Sequence, residues 1–171
     1  MPNYCSFQIL AKGEKKSIKE FVDLFLIEYS ATNEEDERHN NNLLSYFART
    51  WLTCEPRFEY DGTAVCLTGW CAWSIYSCMM HGYPQQSAKC PTIMEVSKEL
   101  KLHIQIASEE PGCCFTEFYE IINGELVRDE GETIYGPEYD FEREEDEEYN
   151  LEFQEQLDDM YAAVYDKLDL F

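Results

Sequence analysis

The stretch Leu100–Glu130, LKLHIQIASEEPGCCFTEFYEIINGELVRDE, leaves a chain like this few ways to fold. Leu102, Ile104 and Ile106 alternate with His103, Gln105 and Ala107, the period-two pattern of a half-buried strand. Glu110-Pro111-Gly112 is turn chemistry, because Pro presets φ and Gly tolerates φ > 0. Cys114–Ile122 reads as a second strand. Asn123-Gly124 then supplies the two residues best able to take positive φ in a type I′ hairpin turn, so Glu125–Glu130 is the returning strand. The result is an antiparallel meander on which the other elements have to pack.

Upstream, Asn3–Ala11 alternates in part and predicts a first strand ending at Gly13. Ser17 with Glu20 three residues on is a capping-box pattern, and Ile18, Phe21, Val22, Phe25, Leu26 and Tyr29 recur at helical spacing. Ala31–Asn42 is polar, a loop or short solvated helix, and Leu43, Leu44, Phe47, Trp51 and Leu52 suggest a further short helix. Cys54–Gly62 returns the chain through turns at Pro56 and Asp61-Gly62. Thr63–Ser77 is β-branched and aromatic and reads as one long strand. Gly69 within it marks a bulge or a close backbone approach, and the tryptophans Trp70 and Trp73 are expected to pack in the core or at an edge. After a loop over Met79–Cys90, Pro91-Thr92 opens a helix striped by Ile93, Val96 and Leu100.

Ile134–Asp140 breaks the pattern. From Glu142 onward, Leu151, Phe153, Leu157, Met160, Tyr161, Val164 and Leu168 are read as one helical face, with acidic residues over the rest. The element order is β-α-(insert)-β-α-β-β plus a terminal helix, an α+β class. Its economical solution is a ferredoxin-like split β-α-β sheet with helices on one face. On this reading residues 1–137 form the domain, with a helical insert at about 30–62. Residues 138–171 are an acidic amphipathic C-terminal helix packed on it.

Charge divides the chain at the same meander. The net charge is −22, but residues 1–108 hold 13 acidic and 10 basic side chains, for −3, whereas residues 109–171 hold 22 and 3, for −19. Direct contact with nucleic acid or an anionic membrane needs cationic groups and is not expected. Such a charge suits solubility, a basic protein partner, or mimicry of a polyanion. No apolar run approaches the roughly 20 residues of a membrane helix. MPNYCSFQ lacks the basic-then-apolar order of a signal peptide, so an intracellular protein is expected.

The chain carries no GxxxxGK[ST], GxGxxG, HExxH or GxSxG, and no cofactor motif. Its eight cysteines form no CxxC pair or finger spacing, so reduced, buried thiols are the expectation, with a zinc site built from distant cysteines and His81 or His103 as the alternative. A nucleophile pair of His81 or His103 with Cys113 or Cys114 is arithmetically available. Glu144–Glu148 lacks the alternating spacing of an EF-hand loop.

Met1-Pro2-Asn3-Tyr4-Cys5-Ser6, followed by Ile9 to Gly13, resembles the start of the YubB ferredoxin-like domain proteins, small proteins of bacteria, plasmids and phages that usually open M-P-N-W-C. Gly69-Trp70-Cys71-Ala72-Trp73-Ser74 is similar to their tryptophan strand. Glu109–Phe115 with Asn123-Gly124-Glu125 is similar to their hairpin. Tyr4 stands where that family has Trp. The resemblance covers most of residues 1–130 and implies a ferredoxin-like fold and a mobile-element origin. It implies no catalytic chemistry.

The expected function follows from the acidic third. It is a non-enzymatic cytoplasmic protein, monomer or homodimer, that inhibits a host nucleic-acid-binding defence protein of the CRISPR or restriction type by protein contact or nucleic-acid mimicry. The candidate partner-binding residues are Glu138, Asp140, Glu142, Glu144, Glu145, Asp146, Glu147, Glu148, Tyr149, Glu152, Phe153, Glu155, Asp158 and Asp159. Tyr139, Phe141, Tyr161 and Tyr165 interleave as further interface anchors, with the carboxylates steering association. The alternatives are an assembly module that associates through Phe153–Leu168, and a cysteine-based metal-binding protein.

Overall fold

A computed structural model describes residues 3–25, 47, 50–80, 92–134 and 147–171. The strands are β1 (Tyr4–Lys12), β2 (Thr50–Leu52), β3 (Arg57–Glu59), β4 (Ala64–Ala72), β5 (His103–Glu110), β6 (Phe115–Ile122) and β7 (Glu125–Thr133). The α-helices are α1 (Lys15–Asp23), α2 (Ile93–Leu100) and α3 (Glu147–Tyr165). Every strand pairing is antiparallel, in the order β2-β4-β1-β5-β6-β7, with β3 also on β4. The protein is thus a mixed α+β structure on one seven-stranded antiparallel sheet.

The expected meander forms as β5-β6-β7. Asn123 and Gly124 take φ of 51° and 87°, the positive pair that a type I′ turn demands. β7 runs three residues past the expected Glu130, and β6 begins at Phe115 because Cys114 sits at φ 55° in the preceding turn.

Alternation sorts side chains between the faces. Phe7, Ile9, Val65, Leu67, Cys71, Ile104, Ile106, Tyr119 and Ile121 join Ile18, Phe21 and Val22 of α1 and Ile93 and Val96 of α2 in one buried cluster. Each large apolar side chain taken from water this way contributes about 1.5–3 kcal/mol. α2 is closed by a full capping box: the Thr92 hydroxyl accepts from Glu95 N–H, and the Thr92 N–H donates to the Glu95 carboxylate at 2.7 Å. On the opposite face Ala107 and Phe118 pack against Val164, Tyr165 and Leu168, so α3 covers β5 and β6 from the other side. The helices therefore divide between the two faces, α1 and α2 on one and α3 on the other.

Other expectations change locally. Trp51 and Leu52 lie in β2, and Phe58 in β3, so the described end of the expected helical insert is strand. These residues suit a sheet edge as well as a helix, and β4 offers the edge. The expected strand Thr63–Ser77 stops at Ala72. Trp73 turns to φ 72°, and Tyr76–Met80 forms a π-helical turn. That turn is fixed from β6: the buried Glu117 carboxylate accepts from the N–H of Ile75 at 2.7 Å and of Tyr76 at 3.2 Å. Gly69 makes a close approach rather than a bulge, since a Cβ there would collide with the Trp51 carbonyl oxygen and the Phe7 ring. α1 begins at Lys15 with Glu14 as N-cap and no side-chain cap, which places Ser17 inside the first turn. Leu26, Tyr29, Ala31–Asn42, Leu43, Leu44 and most of the Met79–Cys90 loop fall outside the described residues.

Candidate interaction surface

α3 has a packed side and a charged side. Leu157, Met160 and Val164 are buried, with Phe153, Tyr161 and Tyr165 half-buried beside them. Leu151 is 63% exposed. It precedes Leu157 by six residues, about 240° around the helix, and so falls off the stripe that was expected to include it. The stripe offered for self-association is therefore spent on the chain's own sheet. Glu152, Glu155, Asp158 and Asp159 are all exposed. From Glu152 to Asp159 the helix bears these four exposed carboxylates over about 10 Å of its axis, one per three to four ångströms, close to the charge spacing along a single DNA strand.

A polar network holds the end of α3 to the sheet. Gln105, 1% exposed, donates to Asp169 Oδ1 at 2.7 Å and to Glu120 Oε1 at 3.1 Å. It accepts from the Asp169 N–H at 3.0 Å. His103 Nε2 lies 2.7 Å from the same Glu120 oxygen. Lys167 Nζ and Arg128 Nε reach the two oxygens of Glu130 at 2.7 and 2.9 Å. Lys167, then Arg128, holds the Glu130 carboxyl below the usual carboxylate range. The Arg128 guanidinium also stacks 4.5 Å from the centre of the Phe118 ring. Lys167 and Arg128 thus spend their charge on Glu130 and Glu120 of the sheet, and among the described residues Glu152, Glu155, Asp158 and Asp159 have no ion-pair partner.

Glu152, Glu155, Asp158 and Asp159 of the expected partner-binding set share this outer surface, whereas Phe153 turns toward the packed side. The backbone of Glu147, Glu148 and Tyr149 lies in α3. Glu138, Asp140, Glu142, Glu144, Glu145 and Asp146, with Tyr139 and Phe141, lie outside the described residues. Tyr161 and Tyr165, expected as interface anchors, serve packing instead. Burial pushes the Tyr161 hydroxyl up to about 12 and raises Tyr165 as well.

The cysteine alternatives separate by position. His103 opens β5, while Cys113 and Cys114 lie beyond its far end, about 23 Å away along the strand, so that nucleophile pair is not assembled. Cys113 sits in the turn, its N–H donating to the buried Glu110 carboxylate and its thiol accepting from Asn3 Nδ2 at 3.3 Å. Its thiol pKa is raised, chiefly by that Glu110 carboxylate. Cys5 and Cys71 pair across β1 and β4 in the core, with Cys78 beside them. Hydrogen bonding to Cys5 and Cys78, with burial, raises the Cys71 thiol far above its ordinary range and keeps it protonated. Among the described residues no group of three or more His, Cys, Asp or Glu is arranged to hold a metal ion. His81 and Cys90 lie outside those residues.

One surface was only half legible in the sequence. Trp70, expected in the core or at an edge, is 45% exposed on the sheet face that carries α3. Trp51 pairs with it across β2 and β4, and Tyr4 of β1 completes a triad with centroid distances of 5.5, 6.1 and 6.4 Å. α3 covers β5 and β6, and the triad lies beyond it on the β1-β4-β2 side. Period-two counting from the buried Leu67 and Cys71 would have turned Trp70 to this face.

Compared with protein-family models, with curated proteins and with solved structures, the chain finds no match. No helix among the described residues is long and apolar enough to cross a membrane.

Proposed function

We propose that this chain is a non-enzymatic acidic binding protein that inhibits a host nucleic-acid-binding defence protein, a CRISPR effector or a restriction enzyme, by occupying its cationic groove. The carrying observation is α3: an inner side packed on the sheet, and an outer side whose carboxylates Glu152, Glu155, Asp158 and Asp159 have no ion-pair partner among the described residues and stand at DNA-like spacing. A rigidly seated charge row loses less entropy on binding than a free acidic tail. On this reading the protein acts in the cytoplasm of a bacterial host and derives from a phage or mobile element, as its resemblance to the YubB-like proteins suggests.

The ferredoxin-like reading of the fold belongs with that resemblance. What supports it is the path of the central strands. β4 and β5 each run antiparallel to β1, lie on either side of it and are connected through α2. β2 and β3 follow each other along the outer edge of β4 as one interrupted strand. The hairpin β6–β7 would then be an extension of the four-strand core.

The test is displacement. Purified CRISPR nucleases and restriction enzymes are loaded with fluorescent DNA, and the chain is titrated in at several salt concentrations. Release of DNA that weakens as salt rises supports the proposal. Simultaneous binding of DNA and chain, or no binding to any such effector, contradicts it.

A further inference from the structure

The register of the sheet builds a second recognition feature beside α3. Trp51, Trp70, Ser6 and Glu109 follow one another directly across β2, β4, β1 and β5, all on the face that carries α3. Glu109 therefore stands two strands from Trp70, a backbone separation of about 10 Å. Its side chain is half-buried. Among the described residues it has neither a hydrogen bond nor an ion pair, and burial alone raises its pKa. Burial first, with the charge of Glu109 among the lesser causes, raises the pKa of the Tyr161 and Tyr165 hydroxyls of α3. An open aromatic triad and a carboxylate without a counter-ion thus share one trough of the sheet.

We propose that this trough receives an arginine side chain of the protein partner, the guanidinium lying on Trp70 within the Tyr4–Trp51–Trp70 triad and pairing with Glu109. The inference rests on the proposed function for its partner class and adds where that partner is read. Charge complementarity selects the occupant. The acidic third of the chain carries −19, so a nucleobase brought by its phosphates is repelled while a cation is drawn in. The chemistry selects arginine over lysine: a planar, weakly hydrated guanidinium stacks on indole and forks to a carboxylate, whereas an ammonium is a strongly hydrated point charge. The triad supplies flat area with no cation over it among the described residues, and Glu109 supplies an anion two strands away on the same face.

Nine-residue oligoarginine and oligolysine peptides serve as probes, with a single-stranded oligonucleotide as a third arm. Binding to the full chain at low salt is read by tryptophan fluorescence and calorimetry. Trp70→Ala and Glu109→Gln are compared with the wild type after their circular dichroism and thermal unfolding are shown to match. The expected result is tighter binding of oligoarginine than oligolysine, with each variant weakening oligoarginine about tenfold and erasing the preference. Trp70→Phe, which keeps a ring, should recover most of the loss. Unchanged oligoarginine affinity in either variant overturns the trough while leaving the proposed function standing. Tight, Trp70-dependent binding of the oligonucleotide overturns it in favour of base stacking. Absence of binding to either peptide removes the trough and the proposed function together.

Discussion

The two faces of the sheet are built from the same strands and put to opposite uses. The face under α1 and α2 is a continuous apolar core in which Phe7, Phe21, Ile104 and Ile106 are each at most 1% exposed. One carboxylate buried in it, Glu117, is surrounded by donors: two backbone N–H groups, the Ser108 hydroxyl at 3.3 Å and the Tyr119 hydroxyl at 2.9 Å. The face under α3 has a small apolar contact, Ala107, Phe118 and Val164, framed by ion pairs and side-chain hydrogen bonds. Beyond that contact it is open and aromatic. The difference teaches how a chain of net charge −22 keeps a stable fold. Apolar burial on one face supplies stability, and the other face is left to hold exposed charge.

The comparison breaks if both faces respond alike to truncation. Phe21→Ala should lower global stability by about 3–5 kcal/mol, read by urea unfolding, because it opens a cavity in the larger core. Met160→Ala should cost about 2 kcal/mol, with amide exchange rising in α3 while α1 and β1 stay protected. Equal exchange in both regions would mean one cooperative core. Glu117→Gln replaces an accepting oxygen with a donor facing donors and should cost about 1–3 kcal/mol. Burial raises the Glu117 pKa against those hydrogen bonds. The folded state therefore binds its proton more tightly than the unfolded chain. Stability from this group is full below the ordinary glutamate pKa and declines as pH rises through the raised value; Glu117→Gln should flatten that decline. The smallest effect belongs to Lys167→Gln, which should raise exchange in the last turn of α3 without moving global unfolding. Glu130 has a lowered pKa, so its ion pair with Lys167 is present above the usual carboxylate range and lost as pH falls through the depressed value.

The meander was legible because its signals are local and mutually consistent: alternation from Leu102 to Ile106, a Pro-Gly turn and an Asn-Gly turn. What was not legible depends on partners far away in sequence. Trp51 and Leu52 become strand because β4 presents an edge, and β4 ends at Ala72 because Glu117, far along the chain, holds the next turn. The split of the helices between two faces is equally non-local. Within the candidate surface, the carboxylates could be read as composition. Which aromatics turned inward could not, until Leu157 and Val164 fixed the packed side of α3; from that point Tyr161 and Tyr165 go in and Leu151 goes out. Trp70 was the reverse case, a large apolar residue left to the core or an edge, which strand alternation turns out of the core and onto Trp51 of the outer strand β2.

The central claim, that the outer carboxylates of α3 are a seated binding surface, is met most directly by the salt dependence of oligoarginine affinity. The full chain is measured against a variant carrying Glu152→Gln, Glu155→Gln, Asp158→Asn and Asp159→Asn together. These side chains are exposed, so the fold should persist. The account predicts weaker binding by the variant at low salt and a shallower decline as salt rises, with thermal unfolding unchanged. Identical affinities and identical salt dependence in the two proteins would contradict it.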